Sequence, residues 1–165
     1  MANPVRLSFK GGEKLERTLR LMAKRSQTAK AVNVGILADA KYPAAYSTRV
    51  EYRISPMRSV TSVAQVAFWN EFGTSRSPPR PFMRTTISEK SPRWGDSLAY
   101  VLKAANYDAR RALTSMGIGI QGQMRDTLLS WTDPANAPLT VAIKGFNKPL
   151  TDEGILEKSI SYEVV

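Results

Sequence analysis

The chain has 165 residues, of which 42% are hydrophobic and 23% charged, and these values fit a single globular domain with its own core. It contains neither cysteine nor histidine, which excludes disulfides, thiolate nucleophiles, zinc–thiolate sites and histidine as a base or metal ligand. The 24 lysines and arginines against 14 acidic residues give a net charge of +10, which favours polyanions or acidic protein surfaces as partners. No apolar run approaches the roughly 20 residues of a membrane span, and residues 1–10 lack the apolar core of a signal peptide. We therefore expect a soluble chain that is not secreted and has no membrane partner.

Residues 12–27 predict an amphipathic helix. Its apolar stripe and its basic face each recur at helical spacing, with Leu15, Leu19 and Met22 in the stripe and Arg17, Arg20 and Lys24 on the face. A basic face of this kind is either solvated or in contact with an acidic partner, and solvation is the commoner case.

Two segments that follow predict strands. In residues 31–37 Val32, Val34 and Ile36 alternate with small or polar residues, which is typical of a strand with one buried side. Residues 41–60 alternate in the same way but are richer in charge, and they predict a hairpin or loop that protrudes from the domain. Three arginines of this second segment are candidate interface residues: Arg49, Arg53 and Arg58.

Residues 61–72 predict a short helix, with Thr61 or Ser62 as its N-cap and Gly73 at the position that favours a left-handed C-terminal cap. Its inner face is predicted to contain Val63, Val66 and Ala67, with Trp69 or Asn70. The stretch TSRSPPRP then contains three prolines, so it must be an extended loop. Ser91-Pro92 is a typical helix start, and this helix is predicted to reach about residue 107.

The strongest periodicity predicts that residues 108–131 form the longest helix, either continuous with the previous helix or separately capped by Asp108. Its apolar positions recur every four residues, at Ala112, Met116, Ile120, Met124 and Leu128, and the pattern continues to Trp131. Glycines interrupt this segment at 117, 119 and 122, and they predict close packing against the sheet or another subunit.

The end of the chain predicts a helical turn or two over residues 139–144, a short helix from Thr151 or Asp152, and a closing strand over 160–164. The fold class is therefore α+β, a small antiparallel sheet flanked by helices, within one domain of residues 1–165.

No arrangement of residues indicates catalysis. Asp152 and Glu153 form an adjacent acidic pair that suits a helix N-terminus, and Asp126 and Asp133 lie seven positions apart without further carboxylates that converge on them. GIGIQG, residues 117–122, spells the dinucleotide-binding pattern, but no buried strand precedes it. Basic residues are spread along the chain, with no zinc-finger or RNA-binding pattern. We expect no enzyme activity, no cofactor and no metal.

Two motifs carry a family resemblance. In residues 63–84, VAQVAFWNEFGTSRSPPRPFMR, a short apolar helix leads into the series Asn-Glu-Phe-Gly-Thr and a proline-rich loop: Asn70, Glu71, Phe72, Gly73 and Thr74, then Pro79, Arg80, Pro81, Phe82, Met83 and Arg84. The second motif lies toward the end of the chain: Thr140, Val141, Lys144, Gly145, Lys-Pro-Leu at 148–150, Asp152, Gly154, Leu156, Ser159, Ile160 and Tyr162. These motifs, in this order, resemble a family of bacteriophage tail components that includes neck, head–tail joining and tail-completion proteins. The resemblance runs from about residue 32 to the C-terminus; it departs at Glu153, where the family usually has threonine, and over residues 38–60, which are longer and more basic.

The resemblance implies a non-enzymatic virion protein that assembles as a homo-oligomeric ring, such as a hexamer, at the neck or tail end. It implies contacts with other neck, connector or tail proteins, with DNA passing through the channel, and assembly in the host cytoplasm. From the residues themselves, Phe72 and Phe82 are expected in the core, whereas Arg76, Arg80 and Arg84 are interface candidates or ordinary surface residues. The alternative is a basic nucleic-acid-binding protein of phage origin, and a carboxylate–metal nuclease is a weaker third.

Overall fold

A computed structural model describes residues 12–37, 40–41 and 62–165. Within these residues the chain is mainly helical with a two-stranded antiparallel sheet, which confirms the α+β prediction. The elements in chain order are α1 (Gly12–Ser26), β1 (Val32–Ile36), α2 (Val63–Phe72), α3 (Phe82–Lys90), a 3-10 turn (Ser91–Arg93), α4 (Trp94–Ala104), α5 (Ala109–Ser130), α6 (Pro138–Lys144), α7 (Ile155–Lys158) and β2 (Ile160–Val164).

The sheet packs against α5, which is the longest helix in the described part of the chain at 22 residues. Val32 pairs with Val164 and Ile36 with Ile160, so the first and last predicted strands lie side by side. A Cβ atom at Gly117 would lie 2.6 Å from the Tyr162 ring, which confirms the predicted close packing of this glycine against the sheet. Gly119 and Gly122 face open space instead.

The core lies where α2, α3, α5 and α7 meet the sheet. Its buried members are Val63, Ala67, Phe82, Met124, Leu128, Leu156 and Ile160. The four-residue periodicity of α5 is confirmed, because all five predicted apolar positions of this helix are buried. This core fixes the relative positions of the two motif segments.

Helix α3 was absent from the sequence prediction, which assigned no element to residues 82–90. Helix α3 begins at Phe82. The helix predicted to start at Ser91-Pro92 corresponds to α4, which begins later, at Trp94, because Ser91–Arg93 form a 3-10 turn between α3 and α4. The helix expected to reach residue 107 ends at Ala104, and Asn106 and Tyr107 adopt positive φ angles of 52° and 60°. Asp108 caps α5 by accepting the backbone N–H of Arg111 at 3.1 Å.

The predicted hairpin over 41–60 lies outside the described residues except for Lys41. Lys41 forms an antiparallel bridge with Ser62, and the N–H of Val63 donates to the carbonyl of Ala40 at 2.9 Å. Residues 41 and 62, which flank the segment outside the described residues, therefore lie side by side. Arg49, Arg53 and Arg58 are also outside the described residues.

Candidate functional site

Helix α2 carries the first half of the NEFGT…PRPFMR motif, and local signals set its two ends. Ser62 caps its start by accepting the N–H of Gln65 at 3.1 Å, as predicted. Gly73 ends it with a φ of 77° while its N–H donates to the carbonyl of Trp69 at 2.8 Å. A Cβ at Gly73 would lie 3.0 Å from the backbone of both Ser77 and Pro79, so the turn needs glycine for space as well as for backbone angle.

The Glu71 side chain caps the neighbouring helix α3. Pro81 stands at the N-cap position of α3 and has no side-chain oxygen to offer. The buried Glu71 carboxylate takes this role, accepting the N–H of Met83 at 3.0 Å and the N–H of Arg84 at 2.9 Å. Negative charge is favoured at a helix N-terminus, and these are the two N–H groups that an N-cap side chain normally serves. Glu71 therefore explains why a helix begins directly after the proline-rich loop.

Arg84 completes this arrangement from the surface. Its Nε donates to Glu71 Oε1 at 3.0 Å and its terminal nitrogen donates to the Glu71 carbonyl at 2.5 Å, while more than half of its side chain stays exposed. The guanidinium lies 4.6 Å from the centre of the Phe72 ring, a cation–π contact. Arg84 is therefore at the surface, as an interface candidate should be, but its charge is already paired within the chain.

Arg80 is buried, so its prediction as an interface residue is wrong. Only 7% of the residue is exposed. Its Nε donates to the carbonyl of Pro134 at 2.9 Å and a terminal nitrogen donates to the carbonyl of Ala135 at 2.8 Å, while its backbone N–H donates to Asn70. Burial lowers the pKa of Arg80 from its ordinary value. Arg80 thus ties the loop to the segment that follows α5.

The loop between α2 and α3 is held by its own turn. Thr74 and Ser77 form an antiparallel bridge, and the Thr74 hydroxyl accepts the N–H groups of Arg76 and Ser77 at 3.2 and 3.1 Å. Arg76 and Pro79 are exposed on this loop. Arg76 remains an interface candidate, as the sequence indicated.

The second motif is organised around Lys144. Its Nζ donates to the carbonyl of Lys148 at 2.7 Å and also to the carbonyl of Thr151. Desolvation lowers the pKa of Lys144, the nearby Asp152 carboxylate opposes this effect, and the Arg80 guanidinium adds to it. Gly145 ends α6 and Gly154 begins α7, both in the left-handed region with φ of 79° and 74°.

The two motifs meet at one cleft of about 340 Å³. Asn70 of the first motif and Lys144 and Asp152 of the second line it together. Two buried polar atoms in residues of this cleft, Asn136 Nδ2 and Thr151 Oγ1, have no hydrogen-bond partner among the described residues. Residues of the two motif segments therefore lie together in space, and Arg80 and Lys144 donate hydrogen bonds to the chain segments on either side of the cleft.

Phe72 and Phe82, both predicted to be core residues, differ in their exposure. Phe82 is fully buried, as predicted, but the prediction that Phe72 is a core residue is wrong, since it is 54% exposed. Phe72 stacks on Phe68, which is 58% exposed, with ring centres 4.7 Å apart. The physical reason is that α2 turns Val63, Ala67 and Glu71 inward, so positions 68 and 72 must face outward.

Sequence reasoning missed the exposed apolar residues of α2 and α6. Phe68, Trp69 and Phe72 form the outer face of α2, here called the aromatic face, and a small cleft beside it is lined by Ile36, Ala64 and Met83. On α6, Leu139 is 71% exposed and Ile143 is also exposed. The signal was present, because a short helix that is apolar on all sides is expected to be covered on all sides.

Among the described residues, no group of three or more acidic, histidine or cysteine side chains is placed to hold a metal ion. No helix in the described ranges has the length and apolar character to cross a membrane. Comparisons of the chain with protein-family models, with curated proteins and with solved structures give no match.

Proposed function

We propose that this chain is a structural, non-enzymatic subunit of a bacteriophage virion, which assembles as a ring at the neck or tail end and joins or completes the tail. Its partners are further copies of itself and neighbouring neck, connector or tail proteins, with DNA passing through the ring. It is assembled in the host cytoplasm. The resemblance of the two motifs supports this proposal, and residues of both motifs line one cleft.

The observation that carries the proposal is the aromatic face. Three large aromatic side chains lie exposed on a helix of only 10 residues, at Phe68, Trp69 and Phe72. Aromatic residues are enriched at protein–protein contacts, and contiguous apolar patches on a surface mark interaction sites. A subunit of an assembly has this kind of surface, because its neighbours cover the face.

The buried contacts of the motif support the same role by holding the aromatic face rigid. Glu71 joins α2 to α3, and Arg80 joins the loop to residues 134 and 135. A surface that is already fixed loses little conformational entropy when it docks. Subunits that must fit a closed ring benefit from this, since each interface repeats at every contact around the ring.

The test is a variant with Phe68→Ser and Phe72→Ser together, expressed in place of the natural chain in a phage that encodes it. A matched control is Tyr100→Ser, since Tyr100 is 75% exposed on α4, away from the motif. We expect the double variant to remain folded by circular dichroism but to give heads and tails that stay separate in electron micrographs. The control should give complete particles. Complete infectious particles from a folded double variant would contradict the proposal.

A further inference from the structure

An open groove of about 680 Å³ lies between α3 and the C-terminal end of α5. Three carboxylates line it, from Glu89, Asp126 and Asp133, against one cation, Lys90, and Trp131 supplies its apolar part. Lys90 pairs with Glu89 at 3.4 Å. Asp126 and Asp133 form no ion pair with any residue that the structure describes. The groove is therefore an acidic surface on a chain whose net charge is +10.

Helix α1 has the opposite character. None of its side chains is buried, although a helix of 15 residues is marginal in water without a partner. Arg17, Leu21 and Lys24 recur at the spacing of one helix face, and Leu21 is 47% exposed. Neither Arg17 nor Lys24 forms an ion pair within the described ranges of the chain, whereas Arg20 is paired with Glu16 at 2.5 Å. This helix therefore presents a basic face with an apolar residue at its centre.

The segment just after α1 is bound to the N-terminal end of α5, whereas the acidic groove lies at the C-terminal end of α5. Thr28, just after α1, accepts the N–H of Arg110 at 3.1 Å at the start of α5. At about 1.5 Å per residue, Asp126 lies roughly 25 Å further along α5, whereas Lys24 lies only about one turn before Thr28. Lys24 therefore cannot reach Asp126 of its own chain, so the whole basic face can lie in the groove only when that groove belongs to another copy.

We propose that α1 of one copy lies in the acidic groove of the next, with Arg17 and Lys24 facing Asp126 and Asp133 and Leu21 against Trp131. The inference rests on the proposed function, because it names a contact between subunits of the ring. Two copies of a chain with a net charge of +10 repel each other on average. A contact between the basic helix and the acidic groove is therefore favoured over contacts between other parts of the surface, because its charges are complementary. The two surfaces differ, so the contact is head-to-tail, which closes into a ring when the rotation permits.

Charge reversal tests the pairing. One variant carries Arg17→Glu and Lys24→Glu, a second carries Asp126→Lys and Asp133→Lys, and a third combines all four substitutions. Mass in solution is measured over a range of protein concentration, at low and at high salt, by analytical ultracentrifugation. We expect each reversed pair to weaken association by about tenfold or more and the combined variant to recover most of the loss, as coupled sites do.

The control is Arg93→Glu with Lys103→Glu, two exposed basic residues outside α1 whose reversal changes the net charge equally. This control should change self-association only as much as the same change in net charge does. Circular dichroism of each variant checks that the helical content of the natural chain is retained.

Several results would overturn the inference. A natural chain that assembles, with reversed variants that assemble equally well, would reject this contact and leave the proposed function standing. Loss of assembly in both reversed variants without recovery in the combined one would also reject it. If reversal of Arg17 and Lys24 abolished salt-sensitive DNA binding and left self-association intact, the basic face would belong to a nucleic-acid contact instead.

Discussion

Replacing Glu71 with alanine should destabilise the fold more than any surface substitution nearby. The change removes a buried acceptor from two N–H groups at the start of α3 and from the Arg84 side chain. Hydrogen bonds to a charged group each contribute about 1.5–3 kcal/mol, and loss of a helix N-cap costs about 0.5–2 kcal/mol. Water can reach part of the vacated site at the exposed Arg84, so we expect a loss of about 2–4 kcal/mol in the free energy of unfolding. Urea denaturation at neutral pH, followed by circular dichroism, measures it.

Two further variants separate capping from ion pairing. Glu71→Gln keeps the size and one acceptor oxygen but loses the charge, so its cost should be intermediate, about 1–2 kcal/mol. Arg84→Met keeps the apolar stem over Phe72 and removes an ion pair whose arginine is exposed and whose carboxylate is buried. The two N–H donors of α3 still hold that carboxylate, so the cost should be about 1–2 kcal/mol and below that of Glu71→Ala. A Glu71→Ala variant within about 0.5 kcal/mol of the natural chain, or an Arg84→Met variant as damaged as Glu71→Ala, would refute the capping role.

Three other predictions concern packing, the buried arginine and pH. Gly117→Ala should cost about 1–3 kcal/mol in the free energy of unfolding, because its Cβ would meet the Tyr162 ring, whereas Gly119→Ala, which faces open space, should stabilise by up to about 1 kcal/mol; equal urea midpoints for the two variants would contradict this. Arg80→Lys should cost about 1–2 kcal/mol and make the segment after α5 more sensitive to protease, since lysine cannot hold both carbonyls with the same planar geometry; an unchanged digestion rate would count against it. The hydrogen bond from the N–H of Arg111 is the main cause that lowers the pKa of Asp108 in the folded chain, so the ionised Asp108 stabilises the fold above its unfolded pKa and this stabilisation is lost as pH falls through the lower folded pKa. The difference in melting temperature between the natural chain and Asp108→Asn should therefore vanish in strong acid. A difference that persists there would have another origin.

Helix caps, helical periodicity and strand alternation were enough to predict the elements whose structure depends on neighbouring residues. Ser62, Gly73 and Asp108 were expected at helix ends, and each acts on residues within four positions of itself. The long helix α5 was predicted because its period of four coincides with burial along its whole length. The two strands pair across almost the whole chain, but alternation alone was enough to indicate each of them.

The burial of Arg80 and the orientation of α2 could not be predicted from the sequence, because both depend on contacts between residues that are far apart in the chain. The carbonyls that bind Arg80 lie 54 and 55 positions away, so nothing near Arg80 indicates that its charge is buried. The orientation of α2 was misjudged for a related reason: both of its long sides contain apolar residues, and the inward side includes an acid. Burial of Glu71 is favoured over burial of Phe72 because its carboxylate caps α3, a helix that the sequence did not reveal.

The buried positions of these charged residues change how the motif should be understood. Three arginines and a glutamate around a proline-rich loop suggest a charged docking surface. Glu71 and Arg80 instead form hydrogen bonds inside the chain and Arg84 is paired with Glu71, while Arg76 is exposed on the loop. What they leave at the surface is aromatic, at Phe68 and Phe72. Substitution of the charged motif residues should therefore reduce the stability of the isolated chain, and substitution of the aromatic pair should reduce assembly while the chain stays folded. In the proposed contact between copies, charge contributes elsewhere, at α1 and the acidic groove. Arg17, Lys24, Asp126 and Asp133 form no ion pair among the described residues, and Lys24 is too far from Asp126 to pair with it within one copy.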